Sequence, residues 1–381
     1  MIKIKTDYQL KYFDFRLLLY VTVLSAIGVC LIGSANEAYQ YRQLAGMVLG
    51  SMVMLLMSFM DYKLLIKSGW FIYGLGIVLL LSVTVAGAIS GGAARWIEIG
   101  SFRFQPSELG KILFILFFSW LFDCFKDRLD QVRAVLFLSG TLALPVILIL
   151  EQPDLSTAII MVWVFLCMLF LAGLNGRLIA KALMGTVPLA GIGLFLITRP
   201  NQRLLNDYQY RRIMAWLSPG EWAQDSYQQR NSIMAIASGG IRGKGLGTDS
   251  PLSVKNGNFL PEPHTDFIMA VAGEELGFLG CCLILFLLAL ITAECIRLGT
   301  RAGNMTGKLI CMGMAALIAG QSFVNLSVVT GLMPNTGLTL PFVSYGLTSL
   351  VSLYVGLGLV LNVGLQRGSS IDGVVRTHKC F

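Results

Sequence analysis

Apolar positions fall into ten runs along the chain, at about 15–33, 43–60, 71–89, 108–122, 133–150, 155–173, 177–198, 266–296, 306–331 and 341–365. A run of roughly 17 or more apolar residues spans a hydrocarbon core of about 30 Å as a helix. The pattern therefore predicts an all-α polytopic membrane protein with ten transmembrane helices. The fourth run carries Lys111, and the fifth and sixth are parted only by EQPD. Between the seventh and eighth lies the longest polar stretch, 199–265. Within it, QYRRIMAWLS and YQQRNSIMAIAS mix basic and apolar residues as interfacial helices do. The whole chain, 1–381, reads as a single integral membrane domain with that loop on one side. No repeat at solenoid period and no inverted duplication is visible.

Composition agrees with this pattern. Only 13% of the 381 residues are charged and 55% are hydrophobic, against roughly 25% charged in a soluble domain. Mean hydropathy is +0.72. A formal charge of +8 would suggest nucleic acid as a partner for a soluble protein. Here it reports topology, because Lys and Arg collect in cytoplasmic segments. With the N-terminus inside, the inner segments hold 17 basic residues and the four short outer loops hold only Arg42, Arg95 and Arg103. Both termini are expected inside. MIKIKTDYQLKYFDFR is too polar for a cleaved signal and reads as a cytoplasmic lead. Cys30, Cys167, Cys281, Cys282, Cys295 and Cys311 lie in or beside apolar runs, where Cys acts as a small hydrophobe. Two His and no paired Cys spacing name no zinc site.

This orientation puts the unusual sequence on the outer face, in SGGAARWIEIGSFRFQPSELGK, EQPDLSTA, the 199–265 loop and TGLMPNTGLTLPFVSYG. The central motif is FLPEPHTDFIMAVAGEELG, Phe259 to Gly277, which runs without a break into the eighth span. Asp266 there has two readings. It can cap the helix, or it can be a partly desolvated base whose pKa is raised toward a useful range. His264 two residues before it, and Glu274 about 12 Å deeper along a helix, favour the second. In QPSELGK, Ser107 is placed to cap the fourth span, and Glu108 and Lys111 are spaced to pair. That pair either buries Lys111 or lines an outward cavity, and the sequence leaves both open. Asp154 reads as a cap after a Pro turn. Ser344 and Tyr345 follow Pro341 in a broken helix start, which suits either small-residue packing or a cavity wall.

The outer basic residues Arg95, Arg103, Arg203, Arg211, Arg212, Arg230, Arg242 and Lys244 read singly as a solvated face. As a set they can hold a pyrophosphate. SGGIRGKGLG is not a nucleotide loop: Ser238 stands where a Walker A motif needs its first Gly, and Gly245 follows Lys244.

Five motifs in this order, GAARWIEIGSFRFQPSELGK, QPDLSTA, YQQRNSIMAIASGGIRGKGLG, FLPEPHTDFIMAVAGEELG and TGLTLPFVSYG, resemble the SEDS family of cell-wall proteins (RodA, FtsW and SpoVE) over about residues 10–368. The resemblance implies a peptidoglycan glycosyltransferase acting on lipid II at the outer face of the bacterial cytoplasmic membrane. It also implies a class B penicillin-binding protein as partner. It makes Asp266 the essential aspartate and carries Trp96, Glu108 and Lys111 over as motif residues. Arg95, Arg212, Lys244, His264, Glu274, Ser344 and Tyr345 complete the expected substrate-binding set. No cofactor is named; a divalent cation is possible, with no ligands indicated. SYGLTS departs from the family's SYGGSS at Leu347. GKG at 243–245, FLPE and short tails look more like the elongation branch than the division branch. A lipid flippase using Glu108–Lys111 and Glu274, or a scaffold that only recruits the cross-linking enzyme, are the rival readings.

Overall fold

The computed structural model describes residues 10–90, 93–100, 102–174, 176, 184, 207–248, 253, 257 and 259–366. Seven long helices fall on the first six and the ninth of the expected spans. These are α1 (Phe15–Ala35), α2 (Glu37–Phe59), α4 (Gly69–Ala86), α5 (Pro106–Phe125), α6 (Val132–Glu151), α7 (Leu155–Leu171) and α11 (Met305–Val329). A short α3 (Tyr62–Ile66) links α2 to α4, α8 (Asp207–Leu217) and α9 (Ala223–Gly239) belong to the long loop, and α10 (Ile268–Thr300) falls on the eighth expected span. The last helix, α12 (Leu347–Leu365), starts six residues later than its apolar run, because 341–346 is not helical. The expected span 177–198 lies outside the described residues except for Met184. Among the described residues, six helices are long and apolar enough to cross a membrane, and two shorter ones are apolar along their length.

Turns between helices are tight because single residues close one helix and open the next. Asn36 donates its N–H to the Ile32 carbonyl at the end of α1, and its side chain accepts from Ala38 N at the start of α2. Such caps satisfy the free N–H groups of a first turn. The helices pack through small residues, as is usual where hydrocarbon removes the drive to bury Leu against Leu. A Cβ on Gly50 of α2 would overlap the ring of Tyr354 on α12, whose hydroxyl meets Ser25 Oγ at 2.9 Å. The innermost elements are α5, α11 and α12, buried nearly all round.

The segment before α5 is not the plain loop expected. It forms a three-stranded antiparallel sheet of β1 (Ala88–Ser90), β2 (Ala93–Ile99) and β3 (Phe102–Phe104). Ile97 faces Phe104, Glu98 faces Arg103 and Ile99 faces Phe102. Glu98 accepts from Arg103 Nε at 3.0 Å across the ladder.

Helix α10 also differs from expectation, for it is broken. Gly277 sits at φ 66°, ψ −163°, a conformation open essentially only to glycine. The 240–245 loop fills the break. Lys244 N and Gly245 N donate to the carbonyls of Glu274 and Glu275 at 2.9 and 3.0 Å, while Phe278 N and Leu279 N donate to the carbonyls of Gly240 and Ile241 at 2.9 and 3.1 Å. The backbone groups freed by the break are thus paired by protein, which apolar surroundings demand. A Cβ on Gly243 would overlap the Glu275 carbonyl, and one on Gly277 would overlap Gly243 N. We predict that Gly277→Ala costs at least about 1–3 kcal/mol from the backbone conformation alone, read as a lower unfolding temperature in detergent.

Candidate functional site

The polar motifs meet around the non-helical segment between α11 and α12. Its backbone carbonyls are held by amide side chains. Asn325 Nδ2 donates to the Leu338 carbonyl at 2.7 Å, Gln321 Nε2 to the Thr339 carbonyl at 3.1 Å, and Gln229 Nε2 of α9 to the Met333 carbonyl at 2.7 Å. Arg212 of α8 donates from Nη1 to the Asn335 carbonyl at 3.1 Å. Inside the segment, Ser344 Oγ accepts from Leu340 N at 2.8 Å. The long loop therefore braces this segment from one side and α11 from the other.

A cavity of about 100 Å³ opens above it, lined by Arg95, Trp96, Gln105, Glu108, Asp154, Thr157, Gly337, Leu338 and Thr339. A smaller hollow of about 40 Å³ shares Arg95 and adds Ser156, Arg212, Asn335 and Thr336 among its walls. Two guanidinium groups, two carboxylates and an indole from widely separated motifs thus border two hollows that share Arg95.

Each polar side chain has a local reason for its position. Arg95 is pinned by the carbonyls of Gln152 (3.4 Å from Nε) and Pro153, and its Nη1 stands 3.9 Å from Asp154 Oδ1. Asp154 caps α7 as the sequence predicts, accepting from Thr157 N at 3.1 Å, and also faces the cavity. Glu108 accepts from Lys111 Nζ at 2.8 Å, and Lys111 reaches Gln321 Oε1 at 3.3 Å. Both readings of this pair hold together: Lys111 is only 2% exposed, yet Glu108 lines the cavity. Glu108 Oε2 is buried without a hydrogen-bond partner. Ser107 does not cap α5. Pro106 occupies the first turn and Gln105 is the cap residue, so Ser107 falls inside the helix.

Asp266 does not cap its helix either. Phe267 is the cap residue of α10 and makes no side-chain cap bond. The Asp266 carboxylate accepts instead from Thr265 Oγ1 at 3.0 Å, and its backbone carbonyl accepts from Asn325 Nδ2 at 2.8 Å. Gly337 links it to the cavity: a Cβ there would lie 3.7 Å from Arg212 Nη1 and 4.0 Å from Asp266 Oδ2. Gly337 has φ 73°, so a bare backbone separates the acid, the guanidinium and the hollow. Desolvation pushes the Asp266 pKa up; the Thr265 hydrogen bond and the Arg212 charge oppose it.

Other candidates lie apart. His264 is buried in a stack with Tyr39 (centroids 4.4 Å) beside Tyr345 (5.6 Å), and its carbonyl accepts from Tyr345 N at 2.8 Å. Burial lowers the His264 pKa and favours its neutral form, with the Glu262 charge opposing. Lys244 and Glu274 meet each other at 2.6 Å behind the helix break and do not line either hollow. Gln321, Asn325, Gly337 and Thr339 have places at the site that no sequence argument singled out. The signal was available: two amides four residues apart, in an otherwise apolar run, share one helix face. Among the described residues, no three His, Cys, Asp or Glu side chains stand together as a metal site.

Known proteins are similar to this chain over nearly its whole length. The probable peptidoglycan glycosyltransferase FtsW of Bacillus subtilis (strain 168) is 33% identical over 384 residues, covering 94% of this chain and 92% of that one. The peptidoglycan glycosyltransferase MrdB of Escherichia coli (strain K12) is 34% identical over 373 residues, covering 95% and 96%. A solved structure of a peptidoglycan synthase complex, described as coordinating polymerization and crosslinking, superposes with a TM-score of 0.78. It is 30% identical and covers 94% of this chain and 99% of that one. The family model for the FtsW, RodA and SpoVE cell cycle proteins matches residues 9–368, and the chain belongs to that family.

Proposed function

We propose that this multi-pass membrane protein is a peptidoglycan glycosyltransferase that polymerises lipid II, the undecaprenyl-pyrophosphate-linked disaccharide-pentapeptide, into glycan strands. The observation that carries the assignment of roles is the Gly337 junction. There a carboxylate with a raised pKa and an arginine flank the backbone of a polar cavity.

The chemistry follows from the groups available. Asp266, ionised, takes the proton from an acceptor sugar hydroxyl as that oxygen attacks the anomeric carbon of the donor. A carbon–oxygen bond forms, the bond to pyrophosphate breaks, and the electron pair leaves with the pyrophosphate. Direct displacement inverts the carbon and gives a β-1,4 linkage. Arg95 and Arg212, both at the hollows, stabilise the charge that grows on the leaving group. Glu108, at the cavity wall, accepts a hydrogen bond from a sugar hydroxyl or amide. No step is assigned to a divalent cation.

The surroundings of Asp266 set a pH profile. Its raised pKa keeps the acid protonated to higher pH than a free aspartate, so the base form is lost earlier as pH falls. Polymerisation is expected to fall on an acid limb displaced above pH 3.8, the ordinary aspartate value, and Arg212→Gln is expected to move that limb further up. Initial rates on purified lipid II across pH test both statements. An acid limb that does not move in Arg212→Gln would remove Asp266 from the role.

In this reading the chain spans the cytoplasmic membrane ten times, both termini are inside and the cavity faces outward. Basic residues crowd the opposite side. A class B penicillin-binding protein cross-links the product, a pairing supported by the likeness to a synthase complex. The elongation role rests on the motif variants GKG and FLPE. Identities of 33% to an FtsW and 34% to MrdB do not choose between branches.

The broken α10 gives the transporter reading one supporting observation, since discontinuous helices commonly mark transport sites. In transporters the freed backbone groups are left for the cargo. Here Lys244, Gly245, Gly240 and Ile241 already occupy those freed at 274–275 and 278–279, which favours the enzyme. Polymer made from lipid II in detergent, where no membrane remains to cross, separates the two.

A further inference from the structure

The break in α10 divides the helix into parts with different surroundings. From Ile268 to Glu275 every residue is buried, with Ile268, Ala270, Val271, Ala272 and Glu274 at 0% exposure. Just beyond Gly277, Phe278 and Leu279 are 65% and 58% exposed, facing the lipid. The first part is a plug inside the protein and the second is an ordinary lipid-facing span. Asp266 stands two residues ahead of the plug.

The plug is fixed at both ends. At its outer end Asn325 holds the Asp266 carbonyl. At its inner end the 240–245 loop pairs with the carbonyls of Glu274 and Glu275, and Lys244 Nζ meets Glu274 Oε1 at 2.6 Å. Glycines on both partners make this seat possible: a Cβ on Gly239 would overlap the Gly273 carbonyl, and one on Gly243 the Glu275 carbonyl. The Glu274 side chain is fully buried while that of Lys244 is 23% exposed. Removing the cation would take a charged partner from a fully buried carboxylate, which is unfavourable.

We infer that Lys244 and Glu274 are positioning residues: together with the 240–245 loop they seat the buried half of α10 and so fix where Asp266 stands at the Gly337 junction. The inference rests on the polymerase reading only for its catalytic consequence. Glu274 is about 12 Å along the chain from Asp266, roughly two helical turns, too far to share its proton and close enough to move it as one rigid piece.

Two measurements test it in purified full-length protein. Hydrogen exchange reads the seat directly, and lipid II polymerisation reads its effect on Asp266. Lys244→Met is expected to speed amide exchange at Lys244, Gly245, Phe278 and Leu279. It should lower kcat at least tenfold with KM changed less than threefold. Lys244→Arg, which keeps a cation beside Glu274, should keep protection and turn over within about threefold of wild type. If Lys244→Met does not fold, Lys244→Arg carries the test alone, and its failure to fold or turn over overturns the inference. Unchanged exchange in Lys244→Met overturns it, as does a raised KM with kcat kept, which would mark Lys244 as a substrate contact. Should wild-type protein make no polymer, the polymerase reading falls and the exchange result still decides the seat.

Discussion

Asp266→Asn is expected to lose lipid II polymerisation by roughly 10²–10⁴-fold, the usual contribution of a positioned general base. The amide keeps the shape of the side chain and can still accept from Thr265 Oγ1, which lies 3.0 Å from Asp266 Oδ1. It cannot take a proton. Stability should move in the opposite sense. A carboxyl whose folded pKa is raised adds stability only below its unfolded pKa, and that contribution is lost as pH rises through the folded value. Burial raises the pKa of Asp266, so wherever the group is ionised its charge costs stability and the amide removes the cost. The variant should therefore unfold at the same temperature as wild type or higher. A helix-capping aspartate predicts the reverse, a loss of about 1 kcal/mol on removal. Wild-type activity in Asp266→Asn would end the assignment, and a fall in unfolding temperature would return Asp266 to a structural role.

Lys111→Met is expected to be the most damaging change to folding, at roughly 3–5 kcal/mol, because it strands a buried carboxylate. Lys111 and Glu108 are 2% and 4% exposed, Lys111 bonds Glu108 Oε1, and among the described residues Oε2 has no hydrogen-bond partner. Gln321, which links Lys111 to the Thr339 carbonyl, would lose its anchor as well. Lys111→Met with Glu108→Gln should regain most of the stability, since neither remaining group carries charge. Activity should not return with it, because Glu108 also faces the cavity. Thermal unfolding and polymerisation, read on the single and double variants, separate the two contributions. Recovery of both together would mean that Glu108 has no part in the site beyond pairing.

Much of this architecture is visible in the sequence because hydrophobic runs are long and their polar interruptions few. The first six runs and the ninth correspond to helices, Asp154 caps α7, and Glu108 pairs with Lys111 at the expected spacing. Three features were harder to read. The sheet at 88–104 is short and lies between two apolar runs, so WIEIGSFRF passed for loop although its alternation around Gly100 is a hairpin signal. The α10 break is hidden because GEELGFLG has helical periodicity on both sides of Gly277; only contact with the 240–245 loop, thirty residues earlier, opens it. The partners of Asp266 were not legible, since the sequence left the cap open beside the favoured base, and it is Thr265 next to it and Asn325 of α11 that claim its oxygens. Gln321 and Asn325 escaped notice for a related reason. An amide in an apolar helix announces that it has a partner, not which backbone segment the partner is.

The amides that hold the segment between α11 and α12 have one more consequence. Gln229, Gln321 and Asn325 do not titrate, and the one cation among these supports, Arg212, stays charged at any pH the protein meets. These supports of the segment are therefore blind to acidity while the aspartate at its edge is not. If, as proposed, the cavity faces outward, the catalyst cannot rely on a buffered cytoplasm, and a drop in external pH would silence the chemistry by protonation and leave the groove folded around it. Recovery would then need only the loss of a proton, with no refolding.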